Sequence, residues 1–342
     1  MTLSFLGPVK VLIATTLLTA AFCAAQTYSI TDLGDSLGGT SSGARAINSS
    51  GQITGYAFRS GNSVNDVFLY SGGVMTDLGT LGGTTGLGLG INAAGQVTGY
   101  STTASGNYRA FISNNGTLTD IGDLGGGSSD AYAINDLGQV VGASYLANSQ
   151  VHPFLYSNGT MTDLGTLGGN NFDWWNVASG INNSSVVVGT SYTSTGKFLG
   201  FVWKNGRMKS LGTLGGPYSQ AYAINASSQI TGIAYLAGGA AAHAFLTTPK
   251  TKMTDLGVLG GFYSTGYSIN SFGAVVGQST INTGTATHAF VHSGGQMQDL
   301  NSLIPSNSGW VLSVAYGIND SGQIVGEGTH NGQAHGFLLT PQ

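Results

Sequence analysis

Histidines and carboxylates are the first residues to question in this sequence. His152, His243, His288 and His335 fall at one position of a recurring segment, and four such imidazoles invite a metal reading. Copies of a repeat point in different directions, so these rings are not expected to converge on one ion. A recurring hydrogen bond within each copy is expected instead, and no metal or cofactor. Glu327 is the only glutamate, and the aspartates outside the repeated pattern include Asp35, Asp123, Asp130 and Asp173. A glycosidase needs two carboxyls at a defined separation, and no pair stands out by spacing. Serine is plentiful, but no Gly-x-Ser-x-Gly elbow is expected, and no helix for one to lead into. No residue is therefore singled out as catalytic.

The segment that carries these residues is written seven times. The Asn of an Ile-Asn pair stands at Asn48, Asn92, Asn135, Asn182, Asn225, Asn270 and Asn319, at spacings of 44, 43, 47, 43, 45 and 49. A period of about 45 residues marks a propeller blade or solenoid turn. Asp-Leu-Gly recurs at Asp77–Gly79, Asp163–Gly165 and Asp255–Gly257, with Ile121, Ser210 and Asn301 as departures in other copies. Its Asp is expected to bond within a turn.

Each copy reads as four short strands. Strand a is of the Ala131–Asn135 type, AYAIN, rich in small residues that suit a crowded position. An Asn-x-x-Gly turn follows, with Ser185 and Ser228 in place of Gly in two copies. Strand b ends on a glycine in every copy, as at Gly142, and strand c carries a phenylalanine in every copy, as at Phe154. Each such Phe is expected to cover its neighbouring Gly. Asn115-Gly116, Asn158-Gly159 and Asn205-Gly206 are two-residue hairpin signals. Strand d holds Met75, Met161, Met208, Met253 and Met297, read as core.

Antiparallel strands joined by tight turns favour an all-β, seven-bladed β-propeller over a parallel β-helix. The last copy stops after strand c, at Phe337–Leu339, while Tyr28–Gly34 reads as a strand d without predecessors. The N-terminal strand is therefore expected to complete the seventh blade and close the propeller.

Residues 1–25 read as a secretory signal, with Lys10, the apolar run Val11–Ala21 and a cleavage site at Cys23-Ala24-Ala25. Residues 26–342 are then the propeller domain of a secreted or extracellular protein. Cleavage removes the one cysteine, so disulfides and thiolate sites are excluded. It also removes Lys10, leaving 9 basic residues against 14 acidic, a net charge of −5. That balance argues against nucleic acid or an anionic membrane as partner. No later run has membrane-spanning length.

The motifs LGTLGG, Ile-Asn-x-x-Gly-Gln, and the His-Ala-Phe of His243–Phe245 and His288–Phe290 resemble those of the HAF-repeat family. These are bacterial repeat proteins predicted to be extracellular, and the resemblance spans the whole mature chain. It implies export and a repeat fold, but carries no activity or ligand. Asp66, Arg109 and Leu199 depart from the family's His.

Irregular sequence concentrates in the crossings from strand d to the next strand a. NNFDWWN, at Asn170–Asn176, is inserted there, and other crossings carry Tyr218, Phe262, Tyr263 and Trp310. Rings in polar loops suit stacking on sugars or anchoring of a partner. The expected function is a non-enzymatic binding or adhesion module for an extracellular glycan or protein. Its rim is expected to comprise Trp174, Trp175, Tyr218, Phe262, Tyr263 and Trp310, with Asp173 as a polar contact. The alternative is a secreted enzyme acting on a polysaccharide or peptide.

Overall fold

The computed structural model describes residues 26–34, 36–169, 175–282 and 285–342. The expected signal segment, Trp174 and Asp173 lie outside the described residues. What is described is an all-β, propeller-like array of four-stranded antiparallel sheets.

The third repeat shows the plan. Its strands a to d are Gly125–Ile134, Val140–Leu146, Val151–Ser157 and Thr160–Asp163, paired in that order. The fourth, fifth and sixth repeats follow it. The first two repeats do so as well, and a single parallel pairing, Asn65 with Thr85, joins their sheets. In the last sheet, Trp310–Ile318, Ile324–His330 and Gln333–Pro341 supply strands a to c. The fourth strand is Tyr28–Asp32, which pairs with strand c so that Ile30 faces Leu339 and Asp32 faces Phe337.

The turns form for reasons visible in their residues. Asn158 and Gly159 both adopt positive φ, 50° and 80°, which a two-residue hairpin demands. In the a–b turn, Asn135 accepts hydrogen bonds from the amides of Leu137 and Gln139, at 3.1 and 3.0 Å. Its Nδ2 donates to the Asn182 carbonyl of the next repeat at 3.1 Å. The same link runs from Asn48 to Asn92, Asn92 to Asn135, Asn182 to Asn225, Asn225 to Asn270 and Asn270 to Asn319. Asn319 in turn donates to the carbonyl of Asn48, at 3.1 Å.

Every sheet buries one phenylalanine against one glycine. Phe154 is wholly buried and faces Gly142, where a Cβ would lie 2.7 Å from the ring and 1.9 Å from the Asp130 carbonyl oxygen. Each core cluster then spans two sheets: Phe154 packs with Ala110 and Ile112 of the preceding repeat. Phe68 of the first repeat shares its cluster with Val325 and Leu338 of the last. The methionines of strand d differ from expectation, being partly buried and packed at the core's edge. They sit on or beside the outermost strand of five sheets, with core on one side only.

The only described helical turn is the 3-10 segment Leu300–Ser302, capped by Asp299. No helix among the described residues is long and apolar enough to cross a membrane.

Candidate functional site

Strand a carries the same irregularity in all seven sheets. Its pairing with strand b slips by one residue at Arg45, Leu89, Tyr132, Ser179, Tyr222, Tyr267 and Tyr316. Each is a β-bulge, which re-aims the extra residue's side chain. The seven bulged residues all line one cavity of about 570 Å³. The residues around them are small because neighbouring strands crowd there: a Cβ on Gly90 would lie 3.1 Å from the Ala133 backbone. Isoleucines such as Ile134 and Ile224 line it toward the a–b turns, and Trp175 and Val177 line it toward the d-to-a crossings.

The cavity's chemistry is asymmetric. Tyr222, Tyr267 and Tyr316 form a continuous wall, with successive ring centroids 5.3 Å apart. The Arg45 guanidinium lies 4.0 Å from the centre of the Tyr316 ring, a cation–π contact. Arg45 Nη2 also pairs with Glu327 Oε1 at 2.8 Å, both side chains being about one-fifth exposed. Gly43 makes that pairing possible, because a Cβ there would lie 1.9 Å from the same Glu327 oxygen. Burial pushes the Glu327 carboxyl above its ordinary range, although Arg45 and a Tyr56 hydrogen bond oppose the rise. Burial likewise raises the Tyr222, Tyr267 and Tyr316 phenols, which therefore stay protonated as hydrogen-bond donors.

Asp130 stands one residue before the third repeat's Ala131. Its Oδ1 is buried without a hydrogen-bond partner, and burial pushes its carboxyl up to about 7. Burial, and after it the Asp130 charge, raises the phenols of Tyr132 and Tyr100.

The expected rim divides. Trp175 is 44% exposed, stacks on Phe198 at 5.2 Å, and Phe198 stacks on Tyr218 at 4.4 Å. Trp175 and Tyr218 thus belong to one run of rings at the cavity's edge. Phe262 and Tyr263 are also exposed, on another crossing, and the Tyr263 hydroxyl donates to the Ala240 carbonyl at 3.3 Å. Trp310 is a correction. It is only 9% exposed and packs with Leu312 and Phe337, because it begins strand a of its sheet and lies over Gly328.

The repeated histidines bond as expected. His152, His243 and His288 each place Nδ1 within 2.9 Å of the Asp of their own sheet, Asp163, Asp255 and Asp299. The same aspartates accept from the amide two residues on, as Asp163 Oδ1 does from the Gly165 N–H at 2.8 Å. Contrary to expectation, Gly39–Gly43 spells Gly-x-Ser-x-Gly, but it lies inside the strand Gly38–Ile47, so it forms no strand-to-helix elbow.

The bulged residues and Glu327 are what sequence reasoning missed as a site. Their signal was present: a variable residue, Arg, Leu, Tyr or Ser, sits between two small ones just before each Ile-Asn.

The array and its cavity define a β-propeller-like repeat protein. Among solved structures it resembles a puromycin hydrolase S511A mutant, at 13% identity and TM-score 0.56, over 87% of this chain and 53% of that one. A puromycin-hydrolyzing peptidase of Mycobacterium tuberculosis matches at 10% identity and TM-score 0.51, over 88% and 52%. TolB from Acinetobacter baumannii matches at 12% identity and TM-score 0.45, over 73% and 64%. The chain thus spans about half the length of either hydrolase and under two-thirds of TolB. At these identities the likeness concerns fold alone. No protein-family model and no curated protein matches the chain.

Proposed function

We propose that the seven repeats are blades of one ring, closed by the pairing of Tyr28–Asp32 with Gln333–Pro341, and that the ring is an exported glycan-binding module. Three contacts between the first and last sheets support closure: the Asn319–Asn48 bond, the shared Phe68–Val325 cluster, and the Gly336 amide donating to Ser42 Oγ at 3.2 Å. Export rests on the signal-like residues 1–25 and on the HAF-repeat resemblance.

The observation that carries the binding reading is the seven-fold bulge, which aims side chains of every repeat into one cavity. Its volume of about 570 Å³ lies in the range of small-molecule sites. A wall of protonated tyrosines offers ring faces to sugar C–H groups and hydroxyls to sugar oxygens. Arg45, held by its ion pair with Glu327, adds a fixed donor to the lining. The stacked rings of Trp175, Phe198 and Tyr218 extend this surface outward, so a chain of sugars could enter from that side. A protein partner would be expected to grip the exposed crossings, Phe262 and Tyr263 included, rather than the cavity.

A polysaccharide- or peptide-active enzyme is the second reading. It is favoured by Asp130 and Glu327, two of the three carboxyls, Asp66 being the third, that burial holds above their ordinary range. A glycan array with the purified protein, run beside hydrolysis and β-elimination assays on the bound glycans, tests both. Saturable glycan binding without turnover supports the module. Turnover abolished by Asp130→Asn or Glu327→Gln would replace it by the enzyme, and no glycan binding at all would refute it.

A further inference from the structure

The last sheet departs from the others at its His–Asp pair. In the third, fifth and sixth sheets one histidine meets one aspartate. In the last, Asp32 receives two: His335 Nδ1 at 3.0 Å and His330 Nδ1 at 2.8 Å. The position of His330, four residues after the strand-b glycine, holds Leu146 and Leu236 in two of the single-histidine sheets. It holds Arg59 in the first sheet, where the guanidinium pairs with Asp66 and Asp77. Among the described residues, two imidazoles and a carboxylate converge only in the last sheet, one ligand atom from each lying within 4.8 Å of the others.

We propose that Asp32, His330 and His335 bind a divalent transition ion of the zinc class, and that the ion clasps the N-terminal strand to the C-terminal hairpin. Ligand atoms bound at about 2.0–2.1 Å around a tetrahedral zinc stand roughly 3.3 Å apart. The two histidine–aspartate separations, 2.8 and 3.0 Å, are a few tenths shorter, and the two imidazole ligand atoms lie within 4.8 Å of each other, so side-chain shifts must seat an ion among the three. Two imidazoles with one carboxylate suit zinc and its neighbours, whereas calcium and magnesium want more oxygen ligands. Exposed Asp32 leaves an open position toward solvent.

The surroundings hold these ligands in place. Trp310 stacks flat on His330, with centroids 4.8 Å apart and planes 1° from parallel. The Gly34 amide donates to Asp32 Oδ1 at 2.8 Å and fixes the carboxylate, a supporting contact typical of metal sites. An ion on the two Nδ1 atoms moves both ring protons to Nε2; at His335 that nitrogen is buried without a partner, a cost the ion must offset, and at His330 it needs an acceptor. The Asn331 amide lies 3.2 Å from that Nε2 and supplies its oxygen by flipping.

This site stands apart from the cavity and does not rest on the glycan reading. The test is a zinc titration of chelator-treated, tag-free protein, followed by melting temperature and by stoichiometry. One ion per chain and a rise of about 5 °C at an ion concentration a hundredfold above Kd are expected. Calcium and magnesium should give no rise. His330→Ala should lose the zinc response while His288→Ala, in a single-histidine sheet, keeps it. Should His330→Ala fail to fold, His330→Gln and the visible spectrum of the cobalt-loaded wild type give the same answer. Absence of any zinc response, an equal response in the His330 variants, or an equal rise with calcium would overturn the proposal.

Discussion

Asp130→Asn is the substitution with the clearest sign. Asp130 keeps Oδ1 buried without a partner, and its carboxyl is pushed from 3.8 up to about 7 by burial. A carboxyl with a raised folded-state pKa binds its proton more tightly in the folded chain than in the unfolded one. Its stabilising effect is therefore complete below about pH 4, declines as pH rises toward about 7, and is gone above. A shift of about three units, at 1.36 kcal/mol each, sets a ceiling of about 4 kcal/mol. Partial solvent access and relaxation reduce that to roughly 1–3 kcal/mol. Asparagine removes the charge at nearly constant volume, so Asp130→Asn should be more stable than wild type by this amount at pH 8. The two should converge near pH 4. Urea unfolding at pH 4, 6 and 8 measures it. Asp32 and Asp163 act in the opposite direction: burial would raise both, but hydrogen bonds from His335 and His330 to Asp32, and from His152 to Asp163, hold them lowered. Their contribution is present in both proteins and cancels in the difference. An unchanged or destabilised Asp130→Asn at pH 8 would refute the account of this carboxyl.

Two further outcomes concern the scaffold. Phe154→Ala should cost about 3–5 kcal/mol, since the ring is wholly buried over Gly142, and a cost below about 1 kcal/mol in urea unfolding would contradict its packing. Deleting residues 26–34 strips the partner from Gln333–Pro341 and removes Asp32 from His330 and His335, so the melting temperature should fall by many degrees. A fall of only one or two would sink the proposed closure.

The period and the strand order were legible because each repeat must satisfy the same geometry. The Gly142–Phe154 contact is one instance: a strand glycine in every copy calls for a large neighbour in every copy, and registry follows. The pairing of Tyr28–Asp32 was legible for a similar reason, since an orphan strand and an incomplete repeat fit each other. The cavity was less legible. A bulge at Tyr132 or Tyr267 is a slip in pairing, and alternation of small and large residues alone does not say which side a slipped residue takes. Glu327 stood out as the only glutamate, but its link to Arg45 crosses from the last repeat to the first, a proximity no local spacing reveals. Trp310 misled because aromatic residues near a crossing look alike in sequence, whether they lean outward like Trp175 or begin a strand and pack inward.

In the proposed glycan site the bulged tyrosines form the wall and the outer rings the mouth. Calorimetric titration of an array-identified glycan into wild type, Tyr267→Ala and Trp175→Ala tests it most directly, with melting temperatures recorded alongside. One site per chain is expected, with binding weakened at least about tenfold, or about 1.4 kcal/mol, in both variants. Trp175→Ala should melt close to wild type, because its ring is 44% exposed. Undiminished affinity in Tyr267→Ala, with the variant folded, would contradict the account and move the site off the cavity.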